Sequence, residues 1–326
     1  MQTKIYITGI YRSGSTLVSR ILNNHSKLWV TYDLVHFMRF SYDRYNPVQL
    51  RKNAEDLVKE IHARILKRWD VALDVESVIS VLDTSTEITY RKIYDAIMES
   101  LALQHKGDAV GWGEKTNVCW GQIPGFLKMF PEGKVIHILR DPRDVMCSYR
   151  VESYEPGYAY LDSAFASLHS FVSAKHFSST LGKENYYCLK YEDLVNDPSK
   201  TVRSICNFLG IEFENVLLNA LEFINKKGER WKGDSSFDKD LKTISKKPLN
   251  RWKTNAQNFE VFFVEMINRP VMREFNYPLS GIHLTKEEWV EFYDILNDRI
   301  IKSRYKHWLK TGEGTEAYPS DPLLAS

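Results

Sequence analysis

The segment that most constrains this fold is residues 4–24, KIYITGIYRSGSTLVSRILNN, where two apolar patterns flank a short polar stretch with glycines. The apolar run at 5–7 is typical of a strand buried on both faces, and the apolar residues at 17–22 recur at helical spacing. Amides at the start of such a helix lack partners within the helix and carry the positive end of its dipole. The segment therefore predicts a strand, a tight loop and a helix whose first turn binds an anion.

The loop has the glycine spacing of a phosphate-binding P-loop, with one change. Gly9 and Gly14 stand five positions apart, and Ser15 and Thr16 follow. A P-loop for a nucleoside triphosphate carries a lysine directly after its second glycine. Here Ser15 takes that position, and the nearby cation is Arg12. The pattern predicts an anion site that differs from a site for the triphosphate of ATP, and an ordinary strand-to-helix turn is the alternative.

The phrase YRSGSTLVSRILNNH resembles the 5′-phosphosulfate loop of sulfotransferases that use 3′-phosphoadenosine 5′-phosphosulfate (PAPS), especially the carbohydrate and protein-tyrosine branch. The resemblance implies that PAPS is the sulfuryl donor and that its phosphosulfate is bound by Arg12, Ser13, Gly14, Ser15 and Thr16. It also implies an α/β fold, a P-loop-like three-layer sandwich with a central parallel sheet and helical inserts.

Two later segments extend the resemblance. In KVIHILRDPRDVMCSYR, residues 134–150, an apolar strand ends at Arg140, and Ser148 follows two helical turns later. An arginine and a hydroxyl so placed can hold one phosphate, and the family uses this pair for the 3′-phosphate of PAPS. A surface cluster of ion pairs is the alternative for this charged run. In KYEDLVNDP, residues 190–198, the family places Tyr191 beside the nucleotide, whereas a half-buried aromatic at a sheet edge is the alternative.

A late polar segment resembles the loop that covers PAPS in the family. It is GDSSFDKDLKTISKKPLNRWKTN, residues 233–255. Ser235 or Ser236 matches a serine of that loop that contacts phosphate or adenine, and Arg251 matches its basic residue before a tryptophan. A lid that closes over a polyanion has this composition, and so does a solubilising mobile segment.

Sulfuryl transfer needs a base for the acceptor hydroxyl and a cation for the departing phosphate. Asp33 lies 21 residues after Arg12, where the tyrosine-sulfotransferase branch of the resembling family has its acidic general base, and it follows a predicted strand at 28–31. His36 is the alternative base, and a helix cap is the alternative role of Asp33. Lys115, in the phrase GEKT, is the predicted cation, assisted by Arg12. The family has a lysine in a similar phrase, and the flanking tryptophans suggest a cleft wall; solubility is its alternative role.

Composition excludes some classes of function. The 44 Lys and Arg residues nearly balance the 42 Asp and Glu residues, so nucleic-acid binding is not expected. The four cysteines and nine histidines show no metal-ligand spacing, so no metal is expected. No apolar run approaches the length of a membrane span, and the first strand leaves no room for a signal peptide. With cysteines that look reduced, these features predict a cytoplasmic enzyme.

The chain reads as one continuous domain with additions. Residues 1–280 are predicted to form a single sulfotransferase-like domain with helical inserts near 34–105 and 151–181, and residues 281–326 a helical extension with a loose tail. The extension is expected to pack on the core or on a second copy in a homo-oligomer. One face of the main helix in the first insert is predicted to be formed by Leu57, Val58, Ile61, Ile65 and Leu66.

These segments together predict a PAPS-dependent sulfotransferase. Its acceptor hydroxyl is expected to belong to a carbohydrate or another small hydroxylated metabolite, with a peptide tyrosine as a further option. A small-molecule kinase or NTPase would share the loop, but the missing P-loop lysine counts against it. A non-catalytic nucleotide-binding protein would keep the anion loop and would need neither Asp33 nor Lys115.

Overall fold

A single parallel sheet forms the centre of the protein. The computed structural model describes residues 2–152, 157–224, 244–312 and 314. Within these ranges, the strands are β1 (Thr3–Gly9), β2 (Leu28–Tyr32), β3 (Gly111–Lys115), β4 (Lys134–Leu139) and β5 (Tyr186–Lys190). All neighbours pair in parallel, in the order β2-β3-β1-β4-β5. The strand that carries the glycine loop is therefore the central one.

Helices connect the strands and extend the chain. The first seven α-helices are α1 (Ser15–Asn23), α2 (Phe37–Phe40), α3 (Arg51–Trp69), α4 (Val75–Asp83), α5 (Tyr90–His105), α6 (Ile123–Met129) and α7 (Pro142–Glu152). The next seven in the described ranges are α8 (Asp162–Thr180), α9 (Tyr191–Asn196), α10 (Pro198–Leu209), α11 (Trp252–Asn255), α12 (Asn258–Glu274), α13 (Lys286–Asn297) and α14 (Arg299–Thr311). Short 3-10 helices lie at Trp120–Gln122, Ala159–Leu161, Asn215–Leu218 and Ala220–Glu222.

The sheet is covered by helices on both faces. Successive side chains of a strand point to opposite faces, so one strand serves two cores. Ile5 and Ile7 of β1 pack in a cluster with residues of α1 and α10, whereas Tyr6 between them packs with residues of α3 and α5. These side chains are fully buried. The predicted α/β three-layer architecture with a central parallel sheet is confirmed.

Helices α2 to α5 lie between β2 and β3, where a helical insert is expected. Of the predicted core face of α3, Leu57, Val58, Ile61 and Ile65 are buried. The prediction for Leu66 is wrong, since this side chain is 45% exposed. An α-helix turns by about 100° per residue, which places position 66 about 120° away from the mean direction of the other four. The apolar stripe of α3 therefore ends at Ile65.

The second insert and the C-terminal extension pack against each other. Helix α8 lies between β4 and β5 in sequence, and it shares a core with α12, α13 and α14. Phe292, Ile295 and Ile301 of the extension are buried in that core. The extension thus packs on the core, which was one of the two arrangements expected. The predicted loose tail lies almost entirely outside the described residues.

Three features bear on the composition arguments. Among the described helices, none has the length and apolar character that crossing a bilayer requires. In the same part of the chain, no cluster of three or more His, Cys, Asp or Glu side chains is arranged to hold a metal ion. The four cysteines are free thiols.

Candidate functional site

Predicted site residues lie at the carboxyl end of each of the five strands. The glycine loop at 10–14 follows β1, Asp33 follows β2, and Lys115 is the last residue of β3. Arg140 follows β4, and Tyr191 follows β5. Because the strands are parallel, these ends share one edge of the sheet, and open α/β sheets bind ligands at this edge. The fold therefore brings together residues that are far apart in sequence.

The loop after β1 adopts a backbone conformation that requires its second glycine. Gly14 has φ 93° and Arg12 has φ 70°, both in the left-handed region. A Cβ atom at Gly14 would lie 2.2 Å from a ring carbon of Tyr191, so a side chain does not fit there. No side chain of the described residues caps α1, which begins at Ser15. Its first-turn amides are therefore available to an anion.

The serines of the loop have different surroundings. Ser15, which replaces the P-loop lysine, donates from Oγ to Oδ1 of Asn117 at 2.6 Å. Ser13 is fully buried, and its Oγ lies 2.7 Å from the position of a Cβ on Gly9. Gly9 therefore provides the space that Ser13 occupies. Thr16 lies in the first turn of α1 and is partly exposed.

The residues predicted to bind the donor phosphates form one connected cluster. Arg12 donates from Nε to Ser148 Oγ at 2.7 Å. Arg140 donates from Nη1 to the carbonyl oxygen of Arg12 and from Nη2 to that of Pro248, both at 2.7 Å. Its guanidinium also lies 4.6 Å from the centre of the Tyr191 ring. The cluster places two guanidinium groups and a hydroxyl beside the start of α1, a donor set that suits phosphate oxygens.

The late segment reaches the same edge of the sheet through its described part. Asp144 in α7 accepts hydrogen bonds from the backbone amides of Asn250 at 2.8 Å and Trp252 at 3.1 Å, which fixes the start of α11. Arg251 lies between these two residues. Burial raises the pKa of Tyr191, and Arg140 and Arg251 oppose this shift because both are close to the phenol. Arg251 is therefore near the cluster, whereas Ser235 and Ser236 lie outside the described residues.

Asp33 and Lys115 form a buried ion pair. Lys115 Nζ lies 2.6 Å from Asp33 Oδ2, with the lysine side chain 1% exposed and the aspartate side chain 19% exposed. Helix α2 begins at Phe37 and has His36 at its N-cap, so Asp33 does not cap it. Burial also rules out solubility as the role of Lys115. The predicted base and the predicted cation are thus direct neighbours.

Two readings of single residues change in the structure. Trp112 and Trp120, which suggested a cleft wall beside Lys115, are both fully buried and belong to the core. Arg143 is buried and pairs with Asp141 at 2.6 Å and Glu265 at 2.7 Å, so this part of the charged run is an internal ion-pair network. Whether a side chain is buried depends on the elements that pack over it, and the residues next to it in the sequence do not indicate this.

Glu114, beside Lys115 in the phrase GEKT, has two roles that the sequence leaves open: a second acid, or the ion-pair partner of Lys115. It precedes Lys115 on β3 and is fully buried. Its Oε1 accepts from the amide of His36 at 2.5 Å, and its Oε2 accepts from the hydroxyl of Tyr94 at 2.5 Å. Burial raises the pKa of Glu114 to about 7. Glu114 therefore holds the turn before α2 through the amide of His36.

The alternative base, His36, has a less suitable environment than Asp33. Its side chain is 2% exposed, and neither ring nitrogen has a hydrogen-bond partner among the described residues. Burial lowers the pKa of His36 to about 3. Both ring nitrogens are enclosed, whereas the Asp33 side chain is 19% exposed and can be reached by an acceptor hydroxyl, so the geometry favours Asp33.

Glu114 is expected to make stability depend on pH. Its pKa is about 7 in the folded protein, against an ordinary value of 4.5, so the folded state holds a proton that the unfolded chain releases between these values. Stability contributed by this proton is complete below pH 4.5 and is lost as pH rises to about 7. The loss is about 3 kcal/mol over that window. Urea unfolding at pH 5 and pH 8 measures it.

The control for this prediction is Glu114→Gln, which cannot titrate at this position. Between pH 5 and pH 8, the free energy of unfolding of the variant should fall less than that of the wild type, by most of the loss of about 3 kcal/mol. Subtracting the change in the variant from the change in the wild type removes the contribution of all other groups. An unchanged pH dependence in the variant would show that Glu114 is already ionised at pH 5.

The chain is similar to known proteins in sequence and in fold. A family model described as "Sulfotransferase family" matches residues 4–215. Human sulfotransferase 2A1 is 26% identical in an alignment 172 positions long, which covers 43% of this chain and 60% of that protein. The omega-hydroxy-beta-dihydromenaquinone-9 sulfotransferase Stf3 of Mycobacterium tuberculosis is 30% identical in an alignment 115 positions long, which covers 32% of this chain and 30% of that protein. The chain thus spans less than two thirds of either relative.

Two solved structures share the fold. The sulfotransferase domain from the curacin biosynthetic pathway aligns with a TM-score of 0.55 at 20% identity, covering 86% of this chain and 99% of that domain. The sulfotransferase domain of the Synechococcus PCC 7002 olefin synthase aligns with a TM-score of 0.53 at 22% identity, covering 81% and 94%. The family model and the shared fold together confirm the resemblance seen in the sequence motifs.

Proposed function

The chain belongs to the sulfotransferase family, and from this premise we propose that it transfers the sulfuryl group of PAPS to a hydroxyl group of an acceptor. The observation that carries the proposal is the arrangement at one edge of the sheet. There the cluster of Arg12, Ser148 and Arg140 lies beside the glycine loop, and the Asp33–Lys115 pair lies at the ends of β2 and β3. Donor binding and proton transfer are thereby assigned to adjacent groups.

Features of the loop and of the cluster support a donor whose ribose carries phosphate groups at both its 5′ and its 3′ positions. The turn at Gly14 leaves no room for a Cβ, so the backbone itself lines the loop beneath the ligand. Arg140 is 5% exposed, and its buried Nε has no hydrogen-bond partner among the described residues. A buried guanidinium nitrogen normally has a partner, and a phosphate oxygen would provide one.

The loop and the cluster are assigned to different groups of the donor. The amides of α1, with Ser15 and Thr16, bind the phosphosulfate through the helix N-terminus. Arg140 and Ser148 bind the 3′-phosphate, and Tyr191 and Arg251 lie beside the nucleotide. This assignment explains why Ser15 replaces the P-loop lysine, since that lysine reaches the β- and γ-phosphates of a triphosphate.

The chemistry assigned to Asp33 and Lys115 is a displacement at sulfur. Asp33 accepts the proton of the acceptor hydroxyl as the new oxygen–sulfur bond forms and the bond from sulfur to the donor phosphate oxygen breaks. Lys115 and Arg12 stabilise the negative charge that this phosphate gains. The products are a sulfate ester and adenosine 3′,5′-bisphosphate. The ion pair also keeps the Asp33 carboxylate next to the path of transfer.

The acceptor is proposed to enter from the side of the helical insert. Tyr11 and Trp69 are aromatic residues on this side, with Trp69 bonded to the backbone of Asp33 and Tyr11 accepting from Arg39 at 3.1 Å. Flat aromatic surfaces with polar neighbours suit a carbohydrate or another small hydroxylated metabolite. The Stf3 relative is named for a hydroxylated menaquinone, so the acceptor in its name also carries a hydroxyl group.

Calorimetry tests the donor assignment. The protein is expected to bind adenosine 3′,5′-bisphosphate without a metal ion and to bind ATP more weakly, with or without magnesium. Arg140→Ala should weaken bisphosphate binding by about 10- to 100-fold, because hydrogen bonds to charged groups contribute about 1.5–3 kcal/mol. Arg91→Ala is the matched control, since Arg91 pairs with Glu132 before β4, at the opposite edge of the sheet.

Two results would contradict the donor assignment. Tighter, magnesium-dependent binding of ATP would favour a kinase or NTPase. Unchanged bisphosphate affinity in Arg140→Ala would remove this residue from the 3′-phosphate site.

A separate result would contradict the proposed catalysis. Binding of the bisphosphate without transfer of sulfate from PAPS to any of a panel of sugars, phenols and alcohols would favour a non-catalytic nucleotide-binding protein.

A further inference from the structure

The backbone at Asp33 has an uncommon conformation. Asp33 has φ 49° and His36 has φ 54°, so two residues of one short turn are in the left-handed region without being glycine. Few residues with a side chain adopt this region. Such conformations persist where the surrounding structure fixes them from several directions, and they concentrate at functional sites. The contacts that fix this turn are therefore informative.

The amide, the carboxylate and the carbonyl of Asp33 are each held by a residue of another element. Its amide donates to the carbonyl of Lys115 at 2.9 Å, which extends the pairing of β2 with β3 by one residue. Its carboxylate pairs with Lys115 Nζ at 2.6 Å. Its carbonyl accepts from the indole Nε1 of Trp69 at 2.8 Å. Two contacts come from the sheet, and the third comes from the end of α3 in the helical insert.

The far end of the turn is fixed independently of Trp69. The amide of His36 donates to the buried carboxylate of Glu114, which Tyr94 also contacts. The side chain of His36 is buried as well. A change at Trp69 is therefore expected to loosen Asp33 and leave the start of α2 in place.

We propose that Trp69 is a positioning residue, which sets the orientation of Asp33 by holding its backbone carbonyl. This inference rests on the proposed function, because it concerns the residue assigned as the base. A base must be held close to the acceptor hydroxyl, and a misplacement of about 1 Å can cost on the order of 100-fold in rate. The Lys115 contacts hold the amide and the carboxylate, and the Trp69 contact removes the remaining freedom of the peptide plane that follows Asp33.

The test is Trp69→Phe, which removes the indole N–H and keeps an aromatic ring. The turnover number is expected to fall by about 10- to 100-fold. The KM for PAPS and the affinity for adenosine 3′,5′-bisphosphate should change by less than about threefold, because Trp69 contacts Asp33 after β2, whereas the donor cluster lies after β1 and β4. A merely structural role would lower the amount of folded protein and leave the turnover number per folded molecule unchanged.

Trp112→Phe is the matched control. Trp112 donates from its indole nitrogen to Asp95 at 2.7 Å, near the amino end of β3, so the same substitution breaks a hydrogen bond of the same kind that does not involve Asp33. Phenylalanine keeps an aromatic ring against Tyr94, which Trp112 contacts. This control is expected to lower stability and to keep the turnover number of the folded enzyme. If Trp69→Phe and Trp112→Phe behave alike in turnover, the proposal is overturned.

A second readout does not depend on catalysis. Hydrogen exchange of the peptide covering residues 28–40, measured without donor, should be faster in Trp69→Phe than in both the wild type and Trp112→Phe. Equal exchange in Trp69→Phe and the wild type would overturn the proposal even if the turnover number fell. A wild-type protein that fails to transfer sulfate would refute the proposed function, while the exchange experiment would still decide whether Trp69 holds the turn.

Discussion

Asp33→Asn is expected to lower the turnover number by about 10²- to 10⁴-fold, the range that general base catalysis contributes. Asparagine has the shape of aspartate and retains an oxygen that can accept from Lys115, but it does not take a proton from a hydroxyl group. The affinity for adenosine 3′,5′-bisphosphate should stay within about threefold, because Asp33 lies outside the cluster around Arg12 and Arg140. Initial rates with PAPS, together with calorimetry, measure both quantities.

Asp43→Asn serves as the control for this substitution. Asp43 is another aspartate in the left-handed region, with φ 62°, but it is exposed in the loop after α2 and bonds to Asn46. The control should keep full activity. If Asp33→Asn retained the wild-type turnover number, Asp33 would not be the base, and His36 would have to be reconsidered despite its burial.

Lys115→Met is expected to lower the turnover number by about 10²- to 10³-fold, a loss typical of removing one group that stabilises charge in the transition state. Methionine keeps most of the length of the lysine side chain without its charge. In the mechanism proposed, the ammonium group stabilises the departing phosphate, so its loss acts mainly on the chemical step. Single-turnover rates with saturating PAPS separate this step from donor binding.

Two comparisons make the Lys115 prediction specific. Lys4→Met is a matched control, because Lys4 is also a buried lysine, on β1 at the amino edge of the sheet, and lies 3.5 Å from Asp95. It is expected to change stability and to leave the turnover number intact. The double variant Asp33→Asn, Lys115→Met should be slower than the worse single variant by less than about tenfold, because groups that act as a unit are not additive. Fully additive losses would mean that the two residues act separately.

Local sequence was sufficient for the elements that carry the site. The short apolar runs of β1, β2 and β4 fix strands, and the glycines of the loop fix a turn whose φ values only a residue such as Gly14 adopts readily. Because parallel strands end at one edge, the residues that directly follow strands were expected to lie together, and in the structure they share that edge. Leu66 shows the limit of such patterns, because a helix of 3.6 residues per turn places this position outside the buried face, although it directly follows the buried Ile65.

The sequence by itself determined the strands, the anion loop and the identity of the charged residues at the strand ends, because these depend on neighbours within a few positions. The tertiary structure decided which of those residues meet: Asp33 with Lys115, 82 positions later, and Arg12 with Ser148, 136 positions later. It also decided that Glu114 is buried and that Trp69 holds Asp33. Such contacts depend on the strand order β2-β3-β1-β4-β5 and on the packing of the insert, which no local periodicity records.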